Sequence, residues 1–188
     1  MILVVDNYDS FVYNLVQYVG EFDDVTVRRN DEITVADVRA IDPDGIVVSP
    51  GPGTPADAGV SMDLFADTEY PALGVCLGHQ ALCAVHGATV GHAPEVVHGK
   101  RSTVRHDGVG LYEGVRNPFS VGRYHSLAVE RADLPSELVE TAYTDDDRGV
   151  VMGVRHVDRP HVGVQFHPES ILTDAGKRIV ENFCTSLA

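Results

Sequence analysis

Short runs of consecutive apolar residues, separated by stretches of helical spacing, constrain this chain more than any other feature. Ile2-Leu3-Val4-Val5 shows no polar alternation and reads as a strand buried on both faces. The segment after it places Phe11, Leu15 and Val19 on one helical face with Val12 and Val16 beside them. Asp9 or Ser10 is the expected cap of that helix and Gly20 its expected end. Val25 to Arg28 reads as a second strand, and Thr34 with Asp37 as a capping box that opens a short helix ending before Asp42-Pro43. Gly45 to Ser49 and Ala72 to Val75 supply a third and a fourth strand, and Val162 to Phe166 a last one. From about Asp174 a closing helix turns Ile179, Val180 and Phe183 inward. Alternating strands and helices predict an α/β fold, with a mostly parallel central sheet and helices on both faces. Between Val97 and Arg155 the pattern changes to short β-rich pieces with turns at Asp107-Gly108 and Asp145 to Gly149, which predicts antiparallel strands added at one edge.

No internal repeat or Ser/Gly linker divides the 188 residues, so one domain, 1–188, is expected. No apolar run approaches the ~18 residues of a membrane span. Met1 leads straight into the first strand without a basic leader, so the expected compartment is the cytoplasm. Fourteen Lys and Arg against 28 Asp and Glu leave a net charge of −14, a surface that repels nucleic acid and anionic lipid. Lys100 and Lys177 are the only lysines. Adaptation to high salt would produce this composition, because screening there shortens the reach of self-repulsion. Cys76, Cys83 and Cys184 are too few for a disulfide framework and fit no zinc spacing, so no metal is expected.

In open α/β sheets ligands bind beyond the carboxyl ends of the strands, and three motifs fall there. Gly74-Val75-Cys76-Leu77-Gly78 has the form of a nucleophile elbow, with Cys where hydrolases carry Ser. A strand turning sharply into a helix lifts its side chain clear of the sheet. The helix from Gly78 to His86 aims its positive end at Cys76, which favours thiolate. The Leu77 amide is placed to hold a developing oxyanion. Alone, the motif fits a small buried apolar cysteine as well as a nucleophile. Cys83, inside the helix, and Cys184, in the last helix, read as structural.

A thiol nucleophile needs a base, and the base an orienting group. Of nine histidines, His92, His98, His106, His156 and His161 read as solvent-facing. His167 directly follows a buried strand, and Glu169, two residues on, can return a carboxylate to its imidazole across Pro168. The third motif, Ser49-Pro50-Gly51-Pro52-Gly53-Thr54-Pro55, follows the third strand. Its prolines stiffen it and its glycines permit close approach, so the Gly53 amide can serve as a second oxyanion donor.

Gly51-Pro52-Gly53, Gly74-Val75-Cys76-Leu77-Gly78-His79-Gln80 and His167-Pro168-Glu169, in this order and spacing, resemble the class I (triad-type) glutamine amidotransferases essentially end to end. Asp6-Asn7-Tyr8-Asp9-Ser10-Phe11, the Ser49–Pro55 loop, His98-Gly99-Lys100, Arg123-Tyr124-His125-Ser126-Leu127 and His167-Pro168-Glu169-Ser170 resemble its chorismate-linked branch. The resemblance implies a flavodoxin-like sandwich that hydrolyses L-glutamine to glutamate and ammonia. Cys76 would form a γ-glutamyl thioester, His167 would shuttle protons and Glu169 would orient it. It also implies a glutamine site of Gly51, Pro52, Gly53, Gln80, Ser126 and Leu127, with His79 behind them. Ammonia would pass to a larger synthase subunit that binds chorismate and Mg²⁺, with no cofactor in this chain. The implied product is anthranilate, for tryptophan; the alternative is aminodeoxychorismate, for folate. The branch that serves GMP synthesis usually carries a different loop in place of Ser49 to Gly53. One departure is Arg101, where the family has a small polar residue in a loop near the partner subunit. Cysteine peptidases also occupy such folds but usually lack a His-x-Glu pair at the last strand.

Overall fold

The structure, a computed structural model, describes residues 1–93, 96 and 98–187. Val97, the first residue of the β-rich segment expected from sequence, lies outside the described residues. The elements are β1 (Ile2–Asp6), α1 (Val12–Gly20), β2 (Val25–Arg29), α2 (Val35–Ile41), β3 (Gly45–Val48), α3 (Ser61–Asp67), β4 (Ala72–Val75) and α4 (Leu77–Val85). They are followed by β5 (Val90–His92), β6 (Lys100–His106), β7 (Phe119–Arg123), β8 (Leu127–Val129), β9 (Leu138–Thr144), β10 (Val151–His156), β11 (His161–Val164) and α5 (Gly176–Thr185). Among the described residues, nine strands form one sheet in the order β2-β1-β3-β4-β11-β10-β9-β6-β7. The first five are parallel, and the rest join antiparallel. β5 and β8 pair separately as a two-stranded ribbon.

The unbroken apolar runs follow from this layering. Ile2 and Val4 of β1 face a core shared with Val12, Leu15 and Val19 of α1 and with Ile179, Val180 and Phe183 of α5. Leu3 and Val5 face the opposite core, with Val38 of α2, Leu64 and Phe65 of α3 and Leu82 of α4. A strand covered on both sides has no wet face on which to carry polar residues. The parallel registers Val5↔Val48, Val48↔Gly74 and Val75↔Val164 bring the carboxyl ends of β1, β3, β4 and β11 to one edge of the sheet. The three sequence motifs leave the sheet at that edge.

Several local expectations are corrected. Phe11 is 58% exposed, because the inward stripe of α1 is Val12, Leu15 and Val19, which turns Phe11 outward. Phe11 itself occupies the cap position, and no side chain caps the helix. Asp9 instead accepts the Phe11 amide at 3.0 Å. The Thr34–Asp37 capping box is present as expected. His161 and His106 are buried, not solvent-facing. His161 packs edge-on against Phe65, and burial followed by the nearby Arg159 charge pushes its pKa down to about 4. His106 stacks on Tyr112 with ring centroids 4.7 Å apart.

Candidate active site

The β4–α4 corner needs both of its glycines. A Cβ on Gly74 would lie 2.5 Å from the backbone of Gly78, and one on Gly78 would strike the Val48 carbonyl of β3. Strand and helix therefore cross closer than any side chain permits. Cys76 sits at the turn with φ 53° and ψ −99°, a region that L side chains rarely adopt. Such a backbone stores about 1–3 kcal/mol of strain and persists because its surroundings hold it. Its amide donates to Val164 at 2.8 Å, and its carbonyl accepts from Gln80 at 3.0 Å, starting the helix. The Leu77 amide, in the first turn, has no intrahelical acceptor and remains available as a donor.

The Ser49–Pro55 loop is seated on a buried amide. The Asn7 side chain donates to the Ser49 carbonyl at 2.9 Å and accepts from Asn30 and Ser61, each at 2.9 Å. The Asn7 backbone amide donates to the Ser49 hydroxyl at 2.9 Å. Gly51 rides directly over the Asn7 carbonyl, where a Cβ would collide. Gly53, at φ +84°, ends the tight stretch, and Thr54 with Asp57 locks the next turn. A hollow of about 420 Å³ beside Asn7 is lined by Pro52, Gly53 and Leu77, so both expected oxyanion donors border one space.

His167 arrives from the other end of the chain. Its amide donates to Gly122 at 3.1 Å, and its carbonyl accepts the Thr173 hydroxyl at 2.6 Å. Its Nδ1 lies 2.6 Å from Oε1 of Glu169, and both side chains are buried. Tyr124 packs edge-on against the imidazole at 5.0 Å. Burial opposes a charge on this ring, but the Cys76 side chain and the Glu169 carboxylate outweigh it and hold the His167 pKa well above the ordinary value. Asp9 is raised by burial and by the Glu169 charge. His125 is pushed down to about 4 by burial and by Arg123, which keeps it neutral. A second hollow, of about 380 Å³, runs along α1 past His167, Glu169 and Tyr124. Cys76 is 7% exposed and lines neither hollow.

The family model described as glutamine amidotransferase class-I matches residues 3–187. The chain belongs to this family. Among relatives of this amidotransferase, the anthranilate synthase component II of Haloarcula marismortui is 75% identical over 188 residues, covering 100% of this chain and 99% of that protein. The aminodeoxychorismate/anthranilate synthase component 2 of Bacillus subtilis is 48% identical over 187 residues, covering 97% and 95%. A solved structure from Thermoplasma acidophilum, assigned provisionally to GMP synthase, matches with a TM-score of 0.88 at 26% identity, over 99% of this chain and 92% of that one.

Within this class I amidotransferase, Cys76, His167 and Glu169 gather at one edge of the sheet, as do Gly51, Pro52, Gly53 and Leu77. Gln80 is buried, and its side-chain nitrogen bonds to the Leu127 carbonyl at 3.2 Å and to Gln165 at 3.0 Å. The Ser126 carbonyl is occupied by the Ala93 amide at 2.8 Å, and the Leu127 carbonyl also accepts from His125 Nδ1 at 2.7 Å. His79 turns away from the sulfur toward Gly163 and Cys83. Burial pushes the Cys83 thiol far above its ordinary value and Cys184 up to about 11, consistent with inert roles. Arg101 pairs with Asp174 at 3.1 Å on the chain's own surface. Gln165, which none of the sequence motifs singles out, is brought beside Cys76, with its Nε2 3.6 Å from the sulfur. No cluster among the described residues groups three His, Cys, Asp or Glu side chains around a possible metal, and no described helix is long and apolar enough to cross a membrane.

Proposed function

We propose that this chain, acting as one domain over residues 1–188, is the glutaminase subunit of an anthranilate-forming synthase. The Cys76 sulfur attacks the carboxamide carbon of L-glutamine, and the amides of Leu77 and Gly53 hold the oxyanion. His167 gives its proton to the departing ammonia, leaving a γ-glutamyl thioester. It then takes a proton from water as that water releases glutamate, with Glu169 holding Nδ1 throughout. Gly51, Pro52, Gly53, Gln80, Ser126 and Leu127 form the walls that receive glutamine. The carrying observation is that a strained cysteine at one β-to-α corner shares a sheet edge with a buried imidazole–carboxylate pair drawn from 91 residues away.

Ammonia passes to a larger partner subunit that binds chorismate and Mg²⁺. A chain at −14 is a poor home for a dianionic substrate, which supports that division of labour. The covered sulfur supports a further point: docking of the partner opens or reshapes the walls, so the isolated chain turns over slowly. The relative from Haloarcula marismortui, similar over its full length, supports anthranilate as the product. The double name of the Bacillus subtilis relative favours a second reading, in which one such chain also serves aminodeoxychorismate synthesis. The working compartment in either reading is the cytoplasm.

The test is Cys76→Ser in the complex with the partner subunit. Glutamine-dependent synthesis is expected to vanish while synthesis from added ammonium survives, and equal loss of both would refute the proposal. Pairing the chain with anthranilate-forming and aminodeoxychorismate-forming subunits separates the two products.

A further inference from the structure

We infer that Gln165 is a catalytic residue whose side-chain amide donates a hydrogen bond to the Cys76 sulfur. The inference deepens the glutaminase reading and rests on Cys76 being the nucleophile. Gln165 follows β11 and is fully buried. Its Nε2 lies 3.6 Å from Sγ of Cys76, within bonding reach of the larger sulfur atom. A buried amide is costly unless its bonds are made, and an apolar side chain would have filled the same space at less cost.

The orientation of the amide is dictated by its neighbours. Gln80 faces the Leu127 carbonyl, which can only accept, so the Gln80 atom there is nitrogen. That same nitrogen faces Gln165, so the Gln165 atom it meets is the acceptor oxygen. The remaining Gln165 atom, the NH₂, then points at the sulfur. Gln80 thus acts as a positioning residue for Gln165, beside its expected contact with substrate.

The chemistry calls for such a donor. His167 is the ionisable neighbour that acts directly on Cys76, with Glu169 behind it and with Asp9 and His125 coupled to that pair. Once His167 has passed its proton to ammonia it no longer offers a charged partner. An amide does not titrate, so Gln165 still donates to the sulfur at that stage. In deacylation the C–S bond breaks and its electron pair returns to Sγ, while the attacking water gives its proton to His167. Gln165 shares the returning negative charge with the reprotonated imidazolium. Hydrogen bonds to charged groups are about twice as strong as neutral ones, so the donor acts most when the sulfur is anionic.

The experiment is the rate of Cys76 alkylation by iodoacetamide in the free full-length chain, with peptide mapping to exclude Cys83 and Cys184. Gln165→Leu is expected to slow alkylation about tenfold near neutrality, the factor for one hydrogen bond to a charged acceptor. At strongly alkaline pH, where the thiolate forms without help, its rate is expected to match the wild type. Gln165→Met keeps the length of the side chain but offers the sulfur no donor, so it slows neutral alkylation at least as much. It reads the same effect should the leucine variant fail to fold. A folded variant of either kind that alkylates at the wild-type rate near neutrality overturns the inference. In the complex, Gln165→Leu is also expected to lower kcat for glutamine about tenfold and to spare ammonium-dependent synthesis. The glutaminase reading fails separately, through absence of glutamine turnover by the wild-type complex, whereas the alkylation ratio reads Gln165 alone.

Discussion

Gly78→Ala sets helix propensity against sterics at the nucleophile corner. Gly78 is the second residue of α4, and in an open helix the change to Ala stabilises by about 1 kcal/mol. Here an added Cβ would strike the carbonyl oxygen of Val48 and lie 3.0 Å from both its carbonyl carbon and its Cβ, where ordinary contact begins at 3.4 Å. Val48 is held between β1 and β4, so neither backbone can step aside without dragging the sheet. Overpacking costs about 1–3 kcal/mol, and a clash of two backbones belongs at the upper end. The net expectation is a destabilisation of about 2 kcal/mol, or a Tm about 4–8 °C lower in a chain of this size. A displacement of about 1 Å at the corner would also cost roughly a hundredfold in glutamine turnover. Gly20→Ala is the internal control. It is the last residue of α1, its Cβ would meet only Val25 at 3.8 Å, and a gain of about 0.5–1 kcal/mol is expected. Thermal and urea denaturation of both variants decide the matter. If Gly78→Ala matches or exceeds the wild type in stability, the close crossing of α4 over β3 is refuted.

Glu169→Gln keeps the shape of the buried partner of His167 but removes its charge, and glutamine-dependent activity is expected to fall about 10²- to 10⁴-fold with ammonium-dependent activity preserved; a loss under about tenfold would contradict the role. Three histidines are held neutral by burial, His79 at about 3 and His125 and His161 at about 4. Because the unfolded chain takes up these protons first, each removes about 1.4 kcal/mol of stability per pH unit as pH falls from about 6.5 toward those values. His167, protonated in both states over that window, adds no slope, and a flat urea midpoint between those limits would rule the effect out. Thermal stability is expected to climb from low to molar salt as the screening length shrinks from about 30 Å to about 3 Å around a chain at −14, and an unchanged Tm would remove salt adaptation as the cause of its composition.

What could be read from the sequence was whatever local chemistry dictates. The apolar runs marked β1, β3, β4 and β11 because strands covered on both sides leave no polar register. The capping box at Thr34 and the glycines around Cys76 were likewise visible, since each answers a requirement within a few residues. Phe11 was misplaced because a one-residue shift of the helix start turns it outward, and no cap residue marked the start. His161 and His106 looked like loop histidines, yet Phe65 of α3 packs against His161, and Tyr112 and Phe119 pack against His106. The β5–β8 ribbon is a contact between segments more than 30 residues apart, for which short-range patterns carry no signal. Gln165 was hidden for the same reason. Its partners Gln80 and Cys76 lie 85 and 89 residues away, and only the assembled sheet edge brings them together.

The most direct measurement is intact-protein and peptide mass spectrometry of the complex quenched during turnover with glutamine. An adduct equal to glutamine less ammonia, carried by the Cys76 peptide and absent from those of Cys83 and Cys184, is the expected result. Turnover that continues at the wild-type rate in Cys76→Ala, or an adduct on another cysteine, would contradict it.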